Sequence, residues 1–136
     1  MKIQLRRIND ALALEATNAE GQKTTIDASG QVGGQGLGMR PMELVASALA
    51  SCTSIDVLLI LQKKRIALKQ YEIEVDAVRK NGVPAPFESI HLHFRVDPAD
   101  PRETIEKAVA LSVTKYCSVA ASLSPNCAIT YEVTND

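Results

Sequence analysis

Eighteen residues, Leu44 to Leu61, read "LVASALASCTSIDVLLIL" and contain one charged side chain, Asp56. As a helix this run spans about 27 Å, enough to form a core helix or to cross a bilayer. Ser47, Ser51, Thr53 and Ser54 interrupt it, and an Asp at mid-span costs about 2.5–3.5 kcal/mol for insertion. The run is therefore expected to be a buried helix of a water-soluble protein. Its apolar residues fall on every face, which predicts a helix surrounded on all sides.

The rest of the composition fits that expectation. The chain has 136 residues, the size of one domain, here taken as residues 1–136. Apolar residues make up 46%, with three Tyr, two Phe and no Trp, so the core must be aliphatic and alanine-rich. A net charge of −1 offers no clustered positive field for nucleic acid or an anionic membrane. The start "MKIQLRRIND" lacks the apolar stretch of a secretory signal, which points to the cytoplasm. Three cysteines, Cys52, Cys117 and Cys127, form neither a C-x-x-C pair nor a disulfide framework.

Along the chain, Ile3 and Leu5, then Leu12, Leu14 and Ala16, alternate with polar neighbours as strands do. "NAEG", Asn18 to Gly21, is a turn, and "QKTTIDA" returns as a third strand. Residues 30–38, "GQVGGQGLG", hold five of the seven glycines. This segment is expected to be a mobile connector; its alternative use is a phosphate cradle before a helix, although no G-K-[ST] follows. Pro41 and Glu43 suit the first turn of the long helix, which is expected to run to about Gln62 and end at "KKR", Lys63 to Arg65. Tyr71, Ile73, Val75 and Ala77 alternate with acidic residues, and Asn81-Gly82 turns the chain into a return strand with Ile90, Leu92, Phe94 and Val96 inward. Asp100, Pro101 and Glu103 predict a capping box. A second helical piece, "KYCSVAASL", ends at Ser124-Pro125, and a last strand places Cys127, Ile129, Tyr131 and Val133 on one face. The order β-β-β-α-β-β-α-α-β makes an α+β chain.

Several residue types here can do chemistry. Cys52 sits mid-helix, where most free cysteines are small core hydrophobes. Cys117 follows Lys115 and Tyr116 at the start of a short helix, where backbone N–H groups and a cation would lower a thiol's pKa. Cys127 reads as core. His91 and His93 share a strand face at a spacing that could hold a metal, but Arg95 and Asp97 share it too and no third ligand suggests itself. That face reads as solvated, with no metal.

The two cysteine contexts carry a resemblance. A cysteine within a long alanine-rich helix after "MRPMELVASALASC", then two strands, then a second cysteine in "KYCSVAASLS", resembles the OsmC/Ohr family of osmotically inducible and organic-hydroperoxide-resistance proteins. The likeness runs along essentially the whole chain and looks closest to a branch containing "PMEL". It implies an OsmC-like α+β fold around the Cys52 helix, as an intertwined homodimer with two sites at the subunit interface. It implies a thiol peroxidase with no bound cofactor, acting on organic hydroperoxides, in which Cys52 attacks the peroxide, Cys117 resolves the sulfenic acid, and an external dithiol restores the pair. A disulfide needs Cα atoms about 4.4–6.8 Å apart, so the 65 positions between the cysteines must fold back.

A thiolate in an apolar site one turn from Asp56 needs a cation. The family uses an Arg held by a carboxylate; Arg40 is the nearest candidate, with Arg6 and Arg7 as alternatives. The family pattern Pro-Glu-[Glu/Gln]-Leu is met here by Pro41-Met42-Glu43-Leu44, so Glu43 matches imperfectly. Nine positions of helix turn by about 900°, which sets Glu43 opposite Cys52 unless the helix bends or another subunit supplies it. The competing functional readings are a non-enzymatic binder of an apolar ligand in the same crevice and, more distantly, a nucleotide-binding enzyme using the glycine-rich loop.

Overall fold

The computed structural model describes residues 1–136. Its order is β1 (Ile3–Arg7), β2 (Leu14–Asn18), β3 (Lys23–Ile26), α1 (Pro41–Lys63), β4 (Tyr71–Arg79), β5 (Phe87–Val96), α2 (Arg102–Leu111), a π-helical turn (Ser112–Tyr116), α3 (Ser118–Leu123) and β6 (Ala128–Asn135). This is the predicted α+β succession. The chain forms two compact units, Met1–Val45 and Ala46–Asp136.

The first unit is an antiparallel meander in the order β1-β2-β3. The turn at Asn18 is held by its own side chain, which accepts from Glu20 N and Gln22 N at 3.1 and 2.9 Å. Gly21 there has φ 85°, a conformation that suits glycine. Leu12 lies outside β2 and is exposed; the buried residue before the strand is Ala13. Asn9 causes the shift, since its carboxamide oxygen accepts from Ala11 N and Ala13 N and makes a turn of that segment.

The second unit is built on the sheet β4-β5-β6, with β4 and β5 antiparallel and β5 and β6 parallel. Ile90, Leu92, Phe94 and Val96 alternate inward along β5, as their period of two predicts. They share the unit's core with Ile105, Ala108 and Val109 of α2 and Val133 of β6. A parallel pair needs a crossover, and here α2, the π turn and α3 supply it. That crossover carries Cys117.

Two expectations at helix termini need correction. Asp100 does not cap α2; Pro101 takes that position without a side-chain hydrogen bond. The buried Asp100 carboxylate instead accepts, at 3.2–3.4 Å, from Asp97 N and Lys69 N. Glu103, free of a capping box, pairs with Lys107 at 2.8 Å. At the other end of α1 the chain leaves through Arg65 in the left-handed region, φ 58°. Arg65 N–H donates to Gln62 O and Ile66 N–H to Leu61 O, a Schellman closure with an apolar residue after it.

One chain does not surround α1. Its buried residues are Leu49, Thr53, Val57 and Leu61, a single stripe at four-residue spacing. Ile55 (59% exposed), Leu58 and Leu59 lie open. By length and composition alone α1 could cross a membrane, a test that core helices of water-soluble proteins also pass.

Candidate functional site

Helix α1 begins where the sequence says it should. Pro41 needs no N–H donor partner in the first turn, and Glu43 reaches back so that Arg40 N–H donates to its Oε2 at 2.8 Å. The Arg40 guanidinium donates to Glu43 Oε1 from Nε at 2.9 Å and from Nη2 at 2.5 Å. Both side chains are exposed. Hydrogen bonding to Arg40 holds the Glu43 carboxyl below its ordinary range and raises the guanidinium in turn. The alternatives are engaged elsewhere: Arg6 pairs with Glu15 at 3.0 Å, and Arg7 donates to the carbonyls of Ala11 and Asp10.

Three turns along α1, Cys52 and Asp56 lie one turn apart beside the buried stripe. Asp56 accepts from Ser112 Oγ at 2.7 Å. Ser112 is fully buried, and its carbonyl accepts from Cys117 N–H at 2.8 Å, closing the π turn. The extra residue in that turn leaves Cys117 extended, φ −70° and ψ 108°, as the N-cap of α3. Its Sγ accepts from Ala120 N–H at 3.3 Å. Cys117 is 3% exposed and Cys52 is half-buried.

The two thiols are near enough to act on one another. Burial pushes the Cys117 thiol up, the Ala120 N–H pulls it down, the neighbouring Cys52 thiol pushes it up, and the Thr53 hydroxyl pulls it down. The net direction is upward, which corrects the lowered pKa expected from its place at a helix start. Desolvation outweighs one backbone donor. Lys115 does not supply the cation; its Nζ sits 5.5 Å from the centre of the Tyr116 ring. Thr53 is fully buried, and its Oγ1 makes no well-formed hydrogen bond although it is near enough to act on Cys117. Cys127 stands apart at the start of β6, where its thiol donates weakly to Ala128 O at 3.7 Å.

The glycine-rich segment is wound onto the Asp27 carboxylate, which accepts from its Gln35 N at 2.9 Å and Leu37 N at 3.2 Å and from the adjacent Ala28 N at 2.8 Å. Asp27 is 2% exposed, and those donors hold its carboxyl below the ordinary range. A Cβ on Gly34 would fall 1.8 Å from Ala28 O, so the close winding needs glycine there. The Gln35 and Leu37 N–H groups, which a phosphate cradle would need free, are committed to the protein's own carboxylate.

His91 and His93 are fixed by β6. His91 Nδ1 lies 2.8 Å from Thr130 Oγ1, His93 Nε2 lies 3.0 Å from Thr134 Oγ1, and Glu132 is 3.5 and 3.7 Å from their other ring nitrogens. No three side chains of the ligating types are arranged to hold a metal ion.

Comparison with known proteins bears on this cysteine pair. The family model described as OsmC-like protein matches residues 33–132, a span that includes both thiols. The chain belongs to the OsmC-like family. It is 42% identical over 96 residues to protein YhfA of Escherichia coli K12, covering 68% of this chain and 72% of that one. A hypothetical protein from Aquifex aeolicus superposes with a TM-score of 0.79 at 30% identity, over 99% of this chain and 96% of that one. The organic hydroperoxide resistance protein OhrB of Bacillus subtilis shares the fold, with a TM-score of 0.69 at 18% identity over 98% and 96% of the two chains. The OsmC-like fold thus accounts for both units.

Of the site residues the family resemblance implies, the structure sets Cys52 near Cys117 and pairs Arg40 with Glu43. Sequence reasoning missed the Asp56–Ser112 bond, the unpartnered Thr53 hydroxyl and the role of Asp27. Only Asp27 had a visible signal, an acidic residue just before five glycines.

Proposed function

We propose that this chain is a thiol peroxidase that reduces organic hydroperoxides, with Cys52 as the attacking sulfur and Cys117 as the resolving one. The observation that carries the reading is the nearness of two thiols 65 positions apart in sequence, Cys117 buried and Cys52 half-buried. The Cys52 thiolate takes the distal oxygen of ROOH; the O–O bond breaks, the electron pair leaves on RO⁻, and a proton completes the alcohol. The Cys117 sulfur then attacks the sulfenic acid, forms the S–S bond and releases water. An external dithiol returns two electrons and two protons by exchange. Fold kinship with organic hydroperoxide resistance proteins supports a redox role in stress defence.

Arg40, gripped by Glu43, is the proposed activating cation, because it matches the Arg–carboxylate pairing that the family resemblance implies. The exposed Ile55, Leu58 and Leu59 support a homodimer in which a second copy covers α1. The protein is proposed to act in the cytoplasm. A second reading, an apolar-ligand binder without turnover, is favoured by the same exposed face. Consumption of cumene hydroperoxide with dithiothreitol separates the two. The peroxidase reading requires turnover that disappears in Cys52→Ser and an intramolecular disulfide that disappears in either cysteine variant. Ligand retention without turnover would establish the binder instead.

A further inference from the structure

Helical Ser and Thr residues usually return their hydroxyl to a carbonyl three or four residues back. Others in this chain do so: Ser54 to Ala50 O at 2.7 Å, Ser51 to Ala48 O at 3.1 Å, and Thr114 to Ala110 O at 2.6 Å. Thr53 does not. It is fully buried, its Oγ1 has no hydrogen bond, and it is adjacent in sequence to Cys52 and close to the Cys117 sulfur. A buried hydroxyl left without a partner lowers stability. It gains one when a charge develops on that sulfur.

We propose that Thr53 is a catalytic residue of the reductive half-reaction: its hydroxyl and the Ala120 N–H receive the Cys117 sulfur as a departing thiolate when an external dithiol attacks Cys52. This rests on the disulfide cycle proposed above. Accessibility decides which sulfur is attacked, since Cys52 is half-buried and Cys117 is 3% exposed. The incoming thiolate bonds to Cys52 Sγ, the Cys52–Cys117 bond breaks, and its electron pair leaves on Cys117 Sγ. The second thiol of the reductant loses its proton and closes on the mixed disulfide, releasing Cys52. The reductant ends as a disulfide and the protein as two thiols.

A buried sulfur is a poor leaving group, because charge in an apolar site is costly. One donor already directed at it and a second beside it would offset that cost. Ala120 N–H already lies 3.3 Å from the sulfur in the thiol state, and Thr53 has no competing acceptor. A thiolate between two such donors gains charge-assisted hydrogen bonds.

The test uses the full chain carrying Cys127→Ser, with the disulfide formed by diamide so that no peroxide turnover is needed. Glutathione is added and the mixed disulfide is located by peptide mapping. Release of thiols by dithiothreitol is timed separately for this chain and with Thr53→Val or Thr53→Ser added. Glutathione is expected on Cys52. Thr53→Val should slow release by about tenfold and Thr53→Ser should stay within about twofold, since loss of a donor to a charged group is the only change. Thr53→Val should also melt no lower than its parent, because it removes an orphaned hydroxyl. Glutathione on Cys117, or an unchanged rate in Thr53→Val, overturns the proposal and leaves the peroxidase reading standing. A disulfide that forms with diamide but never with hydroperoxide removes the peroxidase reading alone. A chain that forms no Cys52–Cys117 disulfide even with diamide overturns both.

Discussion

Asp27 and Cys117 are both buried groups able to carry negative charge, and the protein treats them differently. Around Asp27 the backbone supplies three N–H donors at 2.8–3.2 Å, two of them from the glycine-rich segment, and the carboxyl is held down. Around Cys117 there is one N–H donor at 3.3 Å and a hydroxyl without a hydrogen bond, and the thiol is pushed up. The first anion is complete and serves the fold. The second is under-supplied at rest, which leaves the sulfur free to change its charge and its bonding. Donor count therefore separates a structural anion from a reactive one.

The contrast can be broken at either end. The largest expected effect is on chemistry: Cys52→Ser should abolish hydroperoxide consumption, read by peroxide assay, with little change in melting temperature. Next is Asp27→Asn. The carboxamide offers its backbone donors one acceptor in place of two and turns an NH₂ toward them, so the melting temperature should fall by several degrees while the thiols still form a disulfide under diamide. An unchanged melting temperature would mean that the loop holds itself without its anion.

Smaller effects appear in the pH profile of stability. The folded Asp27 carboxyl lies below its ordinary 3.8, so its contribution is present above that value and is lost as pH falls through the folded pKa. The folded Cys117 thiol lies above its ordinary 9.0, so its contribution is present below that value and is lost as pH rises through the folded pKa. Urea titrations should show Asp27→Asn flattening only the acid limb and Cys117→Ser only the alkaline limb. The smallest effect on stability is expected from Glu43→Gln, an exposed helix-start pair whose loss should scarcely move the melting curve. Under the peroxidase reading it should still lower the rate, a split that a purely structural pair would not give.

The same comparison shows what was legible in the sequence. Helix α1, the inward row of β5 and the succession of elements follow from apolar periodicity and turn residues, which are local signals. The nearness of Cys52 and Cys117 came from the family resemblance, since nothing local encodes a contact across 65 positions. The winding of the glycine-rich loop onto Asp27 was not legible because glycine marks both freedom and tight winding; only the Asp27 bonds show the winding. Asp100 misled for a related reason. Its carboxylate is a good cap, but Lys69 N and Asp97 N claimed it. The upward shift at Cys117 was invisible because burial is a tertiary quantity, and the π turn at Ser112–Tyr116 has no sequence signature.

The most direct test is a single-turnover one. The reduced chain is mixed with one equivalent of cumene hydroperoxide, free thiols are blocked, and the products are digested and weighed. A peptide pair joined through Cys52 and Cys117, with Cys127 blocked, is the predicted result. Full blocking of both Cys52 and Cys117 after the hydroperoxide is consumed, or a bond that joins either of them to Cys127, would contradict it.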